Sequence, residues 1–181
     1  MGLSKEKVIE QTNNWIKSVV IDCNFCPFAA KALLQKSIRY HIHENANLEE
    51  ALISLHEEFM FLEAHKEYET GFIIFPNNFS DFEDYLELVF ASEQLIEELE
   101  LDGEYQIASF HPEYVFEGAD AGDASNYTNR SIYPMLHILR EDSLEKALSV
   151  YPHSDLIPVN NITFTQKKGI AYMQALRLAC F

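Results

Sequence analysis

Positive charge is scarce in this chain: 13 Lys and Arg stand against 29 Asp and Glu, for a formal net charge of −16. Between Glu44 and Glu104 eighteen acidic residues face a single basic one, Lys66. Such a surface repels phosphodiester backbones, so no nucleic-acid partner is expected, whereas a basic protein partner stays open. Long apolar runs are also missing. None reaches the roughly 18 residues that a spanning helix needs, so no membrane partner is expected. The N-terminus has no apolar signal core, and Met1-Gly2 is followed by Glu6 where myristoylation wants Ser or Thr; a cytoplasmic protein is the expectation. With six Gly and six Pro the chain is neither fibrous nor low in complexity. Its three cysteines include one CxxC and no second pair, which leaves a zinc site short of ligands unless histidines join.

What remains is 181 residues, 48% hydrophobic, with 13 Phe, nine Tyr and one Trp. That is enough for one well-packed domain over 1–181 and short for two. Ser4 can cap a helix whose apolar positions Val8, Ile9, Trp15, Ile16 and Val19 recur at helical spacing to about Asp22. Pro27 suits the first position of a second helix. Ile38, Tyr40 and Ile42 alternating with Arg39, His41 and His43 predict a strand with one wet face. A helix from about Leu48 to Tyr68 follows, then a buried strand from Thr70 to Phe75, and a helix to Leu101 capped by Ser80 with Glu83. Tyr105–Phe110 and Met135–Leu139 are the remaining strands, a helix capped by Ser143 comes next, and a last helix from Asn160 or Thr163 runs through Leu178. The expected fold is α/β, with α+β as the alternative: a single-domain sandwich with a four-stranded mixed sheet flanked by helices, its last two strands antiparallel.

The irregular segment 111–133 is the candidate site. A loop of about twenty residues in a compact domain calls for a function, because ordering it costs entropy. It carries Tyr114, Asp123, Asn126, Asn129 and Arg130, between His111 at a strand end and His137 and Arg140 in the next strand. Arg130 with Asn126 and Asn129 could hold a small anion in a bidentate fork, or staple the loop to its own carbonyls. His111 and His137, facing across the sheet, could act as acid and base over a floor of Tyr114, Tyr127 and Tyr133. Arg140 is an anion-binding candidate that an ion pair with Glu141 would explain equally well. Cys26, just ahead of a helix, has a position that favours a thiolate nucleophile, with a redox pair to Cys23 and a plain buried thiol as the alternatives. His41 and His43 share a strand face and could chelate a metal, or merely be exposed.

Asn24-Phe25-Cys26-Pro27-Phe28-Ala29, Phe110-His111-Pro112, Asn126-Tyr127-Thr128-Asn129-Arg130-Ser131 through Pro134, and Leu136-His137-Ile138-Leu139-Arg140-Glu141 together resemble a bacterial family known as domain of unknown function 1415. The resemblance covers essentially the whole chain. It implies that Cys26, His111, Asp123, Asn126, Asn129, Arg130 and His137 belong to one shared element and supplies no substrate; the cofactor is left open. Two departures are Ile132, where the family pattern has proline, and Cys23, which is outside the family element and weakens the redox-pair reading.

The leading expectation is therefore a small-molecule enzyme. Arg130, Asn126 and Asn129 would orient an anionic substrate, His111 and His137 would move protons, and Cys26 would be nucleophile or wall, for group transfer or hydrolysis. The alternatives are a metal-binding or maturation factor using Cys26, His111 and His137, and an acidic protein-interaction module.

Overall fold

The structure, a computed structural model, describes residues 3–181; the Met1-Gly2 pair weighed for myristoylation lies outside the described residues. Ser4 caps α1 (Lys5–Trp15), its hydroxyl accepting from the Lys7 amide at 3.3 Å. The helix then widens into a π-helical stretch, Ile16–Ile21, and Asn24 ends the run with φ of 56°. Trp15, Ile16 and Val19 from these two pieces are buried. α2 (Ala29–Leu34) starts after Pro27 rather than on it, because the Cys26 carbonyl first accepts from Ala29 in a turn.

β1 (Ile38–Ile42) and β2 (Thr70–Ile74) pair in parallel through α3 (Leu48–Ala64), which Asn47 and Glu50 open with a reciprocal capping box. α4 (Phe82–Glu98) is capped by Asp81 and not by Ser80: the Asp81 carboxylate accepts from the amides of Glu83 at 2.9 Å and Asp84 at 3.3 Å. β3 (Tyr105–Phe110) and β4 (Met135–Arg140) are antiparallel, as expected, and the sheet order is β1-β2-β4-β3. β4 thus lies between two strands that precede it in the chain and runs against both. α5 (Glu141–Val150) follows β4 directly, with Arg140 and not Ser143 before it. The single final helix expected from the sequence is two, α6 (Ile157–Lys168) and α7 (Ile170–Leu178), broken at Gly169, whose φ of 78° suits glycine. The architecture is α/β with a four-stranded mixed sheet and helices on both faces.

Strand alternation divides the apolar residues between those faces. Ile38, Ile42, Phe72, Ile74 and Met135 pack with α1, the π-helical stretch and α7. Ile73, Phe75, Tyr105, Leu136 and Ile138 pack with α3 and α4. The β1 face expected to be wet is roofed by α3: buried Glu58 accepts from His41 Nδ1 at 2.8 Å and from Arg39 at 3.4 Å, and Ser54 lies 2.8 Å from His43 Nδ1.

Tyr85 of α4 closes the far end of the β3–β4 ladder. Fully buried, its hydroxyl donates to the Met135 carbonyl and accepts from the Phe110 amide, each at 2.8 Å. Tyr85→Phe keeps the ring but leaves both peptide groups without that partner, so urea unfolding should show a loss of about 2 kcal/mol or more, with an unchanged m-value. A loss near zero would mean that water or a shift of backbone replaces the hydroxyl.

Candidate functional site

The loop between β3 and β4 is held by its own polar side chains. His111 is fully buried against the rings of Phe82 and Tyr85, on the α4 side of the sheet. Its Nδ1 accepts from the Glu113 amide at 3.0 Å, so Nε2 carries the proton, which it donates to the Phe79 carbonyl at 2.9 Å. Both nitrogens are engaged, and burial lowers its pKa. Phe79 has φ of 56°, an uncommon conformation for a bulky residue, and the His111 bond helps hold it. Asn126, also fully buried, accepts from the Phe116 amide at 3.0 Å and donates to the Asp120 carbonyl at 2.9 Å. Asn129 donates to the Ser109 carbonyl at 3.0 Å. Asp123 caps a 3₁₀ turn, Ala124–Thr128, through the Ser125 amide at 2.8 Å, which lowers its pKa.

The Nε–Nη2 edge of Arg130 is occupied by the loop's own carbonyls. Nε donates to the Tyr114 carbonyl at 3.0 Å and Nη2 to the Ala121 carbonyl at 2.9 Å, with the guanidinium 5.0 Å from the Tyr127 ring centroid. The Tyr114 hydroxyl meets Ser109 at 3.4 Å, and the Tyr133 hydroxyl is bonded to Gln11. Arg140 donates to the carbonyls of Tyr68 and Leu62 and, at 2.8 Å, to the Tyr105 hydroxyl, tying β4 to the end of α3. The loop's cluster is a set of staples for carbonyls and amides.

His137 belongs to the opposite face of the sheet. In the β3–β4 register it pairs with Ala108, while His111 lies one residue past the end of β3, so the two imidazoles do not face each other. The expectation of one hollow shared by Arg130, both histidines and Cys26 is corrected accordingly. His137 stacks on Phe72, its partner across β2, at 4.0 Å between centroids and 4° between planes. The Thr70 hydroxyl donates its one proton to the Ile138 carbonyl; His137 Nε2, 2.8 Å away, must therefore be the donor to Thr70. Nδ1 is left as an acceptor without a partner. Burial pushes the pKa of His137 down to about 3.

His137 opens on a cavity of about 750 Å³ bounded by the sheet, α1 and its π-helical extension, α2 and α5. Trp15, Phe28, Phe72, Phe110 and Tyr151 give it aromatic walls, and Cys26 is on the same wall as Pro27 and Phe28. Cys26 is half-buried and unpaired, like Cys23 and Cys180, which are buried. Burial raises the Cys26 thiol more than hydrogen bonding to the Phe28 and Ala29 amides lowers it, so the expected thiolate is corrected to a neutral thiol. Lys31, Lys146 and Glu69 also line the cavity, with the Lys146 ammonium paired to Asp142 at 3.4 Å. Of the residues singled out in the sequence, the structure brings Cys26, His137 and Arg140 to this cavity; His111, Tyr114, Asp123, Asn126, Asn129 and Arg130 are elsewhere.

Metal binding by Cys26, His111 and His137 together has no geometric support, since His111 is on the other side of the sheet with both nitrogens engaged. Among the described residues no group of three or more His, Cys, Asp and Glu is arranged to hold a metal ion, and His41 and His43 meet Glu58 and Ser54 instead. Sequence reasoning missed Thr70, Trp15, Phe72 and Ala108 as cavity residues. The period-two pattern could have put Phe72 and His137 on faces, but the register that makes them neighbours is set by pairing across the sheet.

The His137 environment has a sign in pH. An unfolded histidine takes up its proton near 6.5 and the folded one only near 3. Between those values the unfolded chain holds one more proton, so stability falls as pH falls, by up to about 1.4 kcal/mol per pH unit from this group. His137→Phe should flatten the stability–pH curve by about that slope between pH 6 and 4, measured by urea unfolding at each pH. An equal slope in parent and variant would refute the neutral imidazole.

A protein-family model with the description "Protein of unknown function (DUF1415)" matches residues 7–175. Comparison with curated proteins and with solved structures gives no match.

Proposed function

The chain belongs to the DUF1415 family, whose description names no activity, and we propose on the cavity alone that it binds a small molecule, apolar over most of its surface, against His137. The observation that carries this reading is a mainly apolar cavity with an unpartnered acceptor, His137 Nδ1, on an aromatic wall. About 750 Å³ is within the usual range for ligand sites, and such sites join apolar walls to a few placed polar groups. His137 Nδ1 asks for an N–H or O–H on the ligand, and the aromatic walls suit a ring. An anionic group on that molecule would find Lys31, and Arg130 would take no part.

Proton transfer by His137 is the weaker use of the same geometry. A base with a pKa near 3 is poorly matched to chemistry at neutral pH, whereas a neutral acceptor serves binding at any pH above that value. Cys26 on the cavity wall favours one second reading, an enzyme that transfers a group through the thiol. Among the described residues no helix is long and apolar enough to cross a membrane. A cytoplasmic setting, without a nucleic-acid or membrane partner, completes the proposal.

Anilinonaphthalene sulfonate, a fused-ring dye with one N–H and one anionic group, is the probe. It should bind with a stoichiometry of one and change the emission of Trp15, the single tryptophan, which lines the cavity. Ala147→Trp and Ala108→Phe place bulk in the cavity and should each weaken binding by about tenfold or more, on the order of 1.4 kcal/mol. Parent affinity in both folded variants would sink the proposal.

A further inference from the structure

Of the seven α-helices in the described residues, only α5 has no buried residue. It is nonetheless amphipathic: Leu144, Ala147 and Val150 line the cavity, and Val150 is 81% exposed. Ten residues are too few for a helix to be stable in water by propensity, so tertiary packing has to hold it. That packing is thin. β4, to which it is joined directly, is the only element with more than incidental contact to it. No side chain caps its N-terminus, and its one ion pair, Lys146 with Asp142 at 3.4 Å, is exposed. At the far end Tyr151 leaves the helical conformation and His153 has φ of 57°. The tie across the cavity is aromatic, Phe28 beside α2 meeting Tyr151 edge-on at 5.7 Å.

We infer that α5 is a hinged lid on the His137 cavity, latched by Phe28 and Tyr151, and that the bound molecule supplies the core this helix lacks. The inference rests on the reading of the cavity as a binding site and adds how that site opens and closes. Arg140 is the fixed side of the hinge, since its guanidinium is anchored on the α3 side by Tyr68, Leu62 and Tyr105. Glu141 is held too, its amide donating to the Glu104 carbonyl at 3.0 Å, so motion starts after it. Closure swings Leu144, Ala147 and Val150 onto an apolar ligand, and the area that they remove from water adds to the hold that the Phe28–Tyr151 latch alone gives in the free protein.

Hydrogen exchange read by mass spectrometry on the full chain tests this, with and without anilinonaphthalene sulfonate. Without the dye the amides of 142–151 should exchange far faster than those of α3; with it they should slow by about tenfold or more while α3 is unchanged. Protection of α5 equal to that of α3 in the free protein overturns the lid. So does a dye that binds at one site, is displaced by Ala147→Trp, and leaves α5 exchange as it was; in that case the cavity reading survives alone. A dye that does not bind at all removes both. Alkylation of Cys26 by iodoacetamide gives a ligand-free check, because the thiol lines the cavity behind the latch. Tyr151→Ala should speed it several-fold, and an unchanged rate overturns the latch.

Discussion

Peptide groups hidden from water must find partners, and the place of β4 between β2 and β3 makes that demand severe. Residues 111–134 have to leave one edge of the sheet and return to its interior without a ladder to bond them. Side chains take over. His111, Asn126, Asn129 and Arg130 reach the carbonyls of Phe79, Asp120, Ser109, Tyr114 and Ala121, and Arg177 reaches that of Pro112 at 2.6 Å. An unpaired buried peptide group costs about 1–3 kcal/mol, so the density of polar residues in this segment has a sufficient cause in the topology.

The staples also shape the opposite face. Trp15 donates its indole N–H to the Arg130 carbonyl at 3.3 Å and presents the rest of its ring to the cavity, edge-on to Phe110 at 5.2 Å. A wall of the cavity is therefore bonded to the segment that closes the sheet. His137 is fixed in a comparable way: Thr70 holds one nitrogen and Phe72 lies flat on the ring, so the free nitrogen has a defined direction. Rigid floor and walls meet an α5 that is attached mainly at one end. This contrast organises the molecule.

Local chemistry was legible in the sequence wherever one stretch of chain decides the outcome. Ser4, the strand at Ile38–Ile42 and the extent of Tyr105–Phe110 follow from neighbouring residues, and the antiparallel last pair from the order of the elements. Boundaries went astray where two local donors competed, as Asp81 beside Ser80, or where one glycine split a periodic run, as Gly169 did. The candidate site was read less well for a different reason. A cluster of His, Asn and Arg in sequence has the same composition whether it serves a ligand or the loop's own carbonyls, and only the third dimension separates the two. Family resemblance, carried by those same residues, could not separate them either. The cavity was out of reach because its lining comes from α1, α2, β2, β3, β4 and α5, and no single segment contributes more than a few small or aromatic side chains.

The π-helical stretch after α1 carries a consequence of its own. A turn closed by a bond five residues apart, such as Asp22 to Lys17 at 3.0 Å, accommodates one residue more than an α-helical turn. Each residue of an α-helix advances the side-chain direction by about 100°, so the surplus residue acts as a dial that turns everything after Trp15 relative to the sheet. Val20 and Cys26 owe their aim to that setting. A chain shortened by a single residue there would keep its composition and its caps and yet direct the thiol to a different quarter of the molecule.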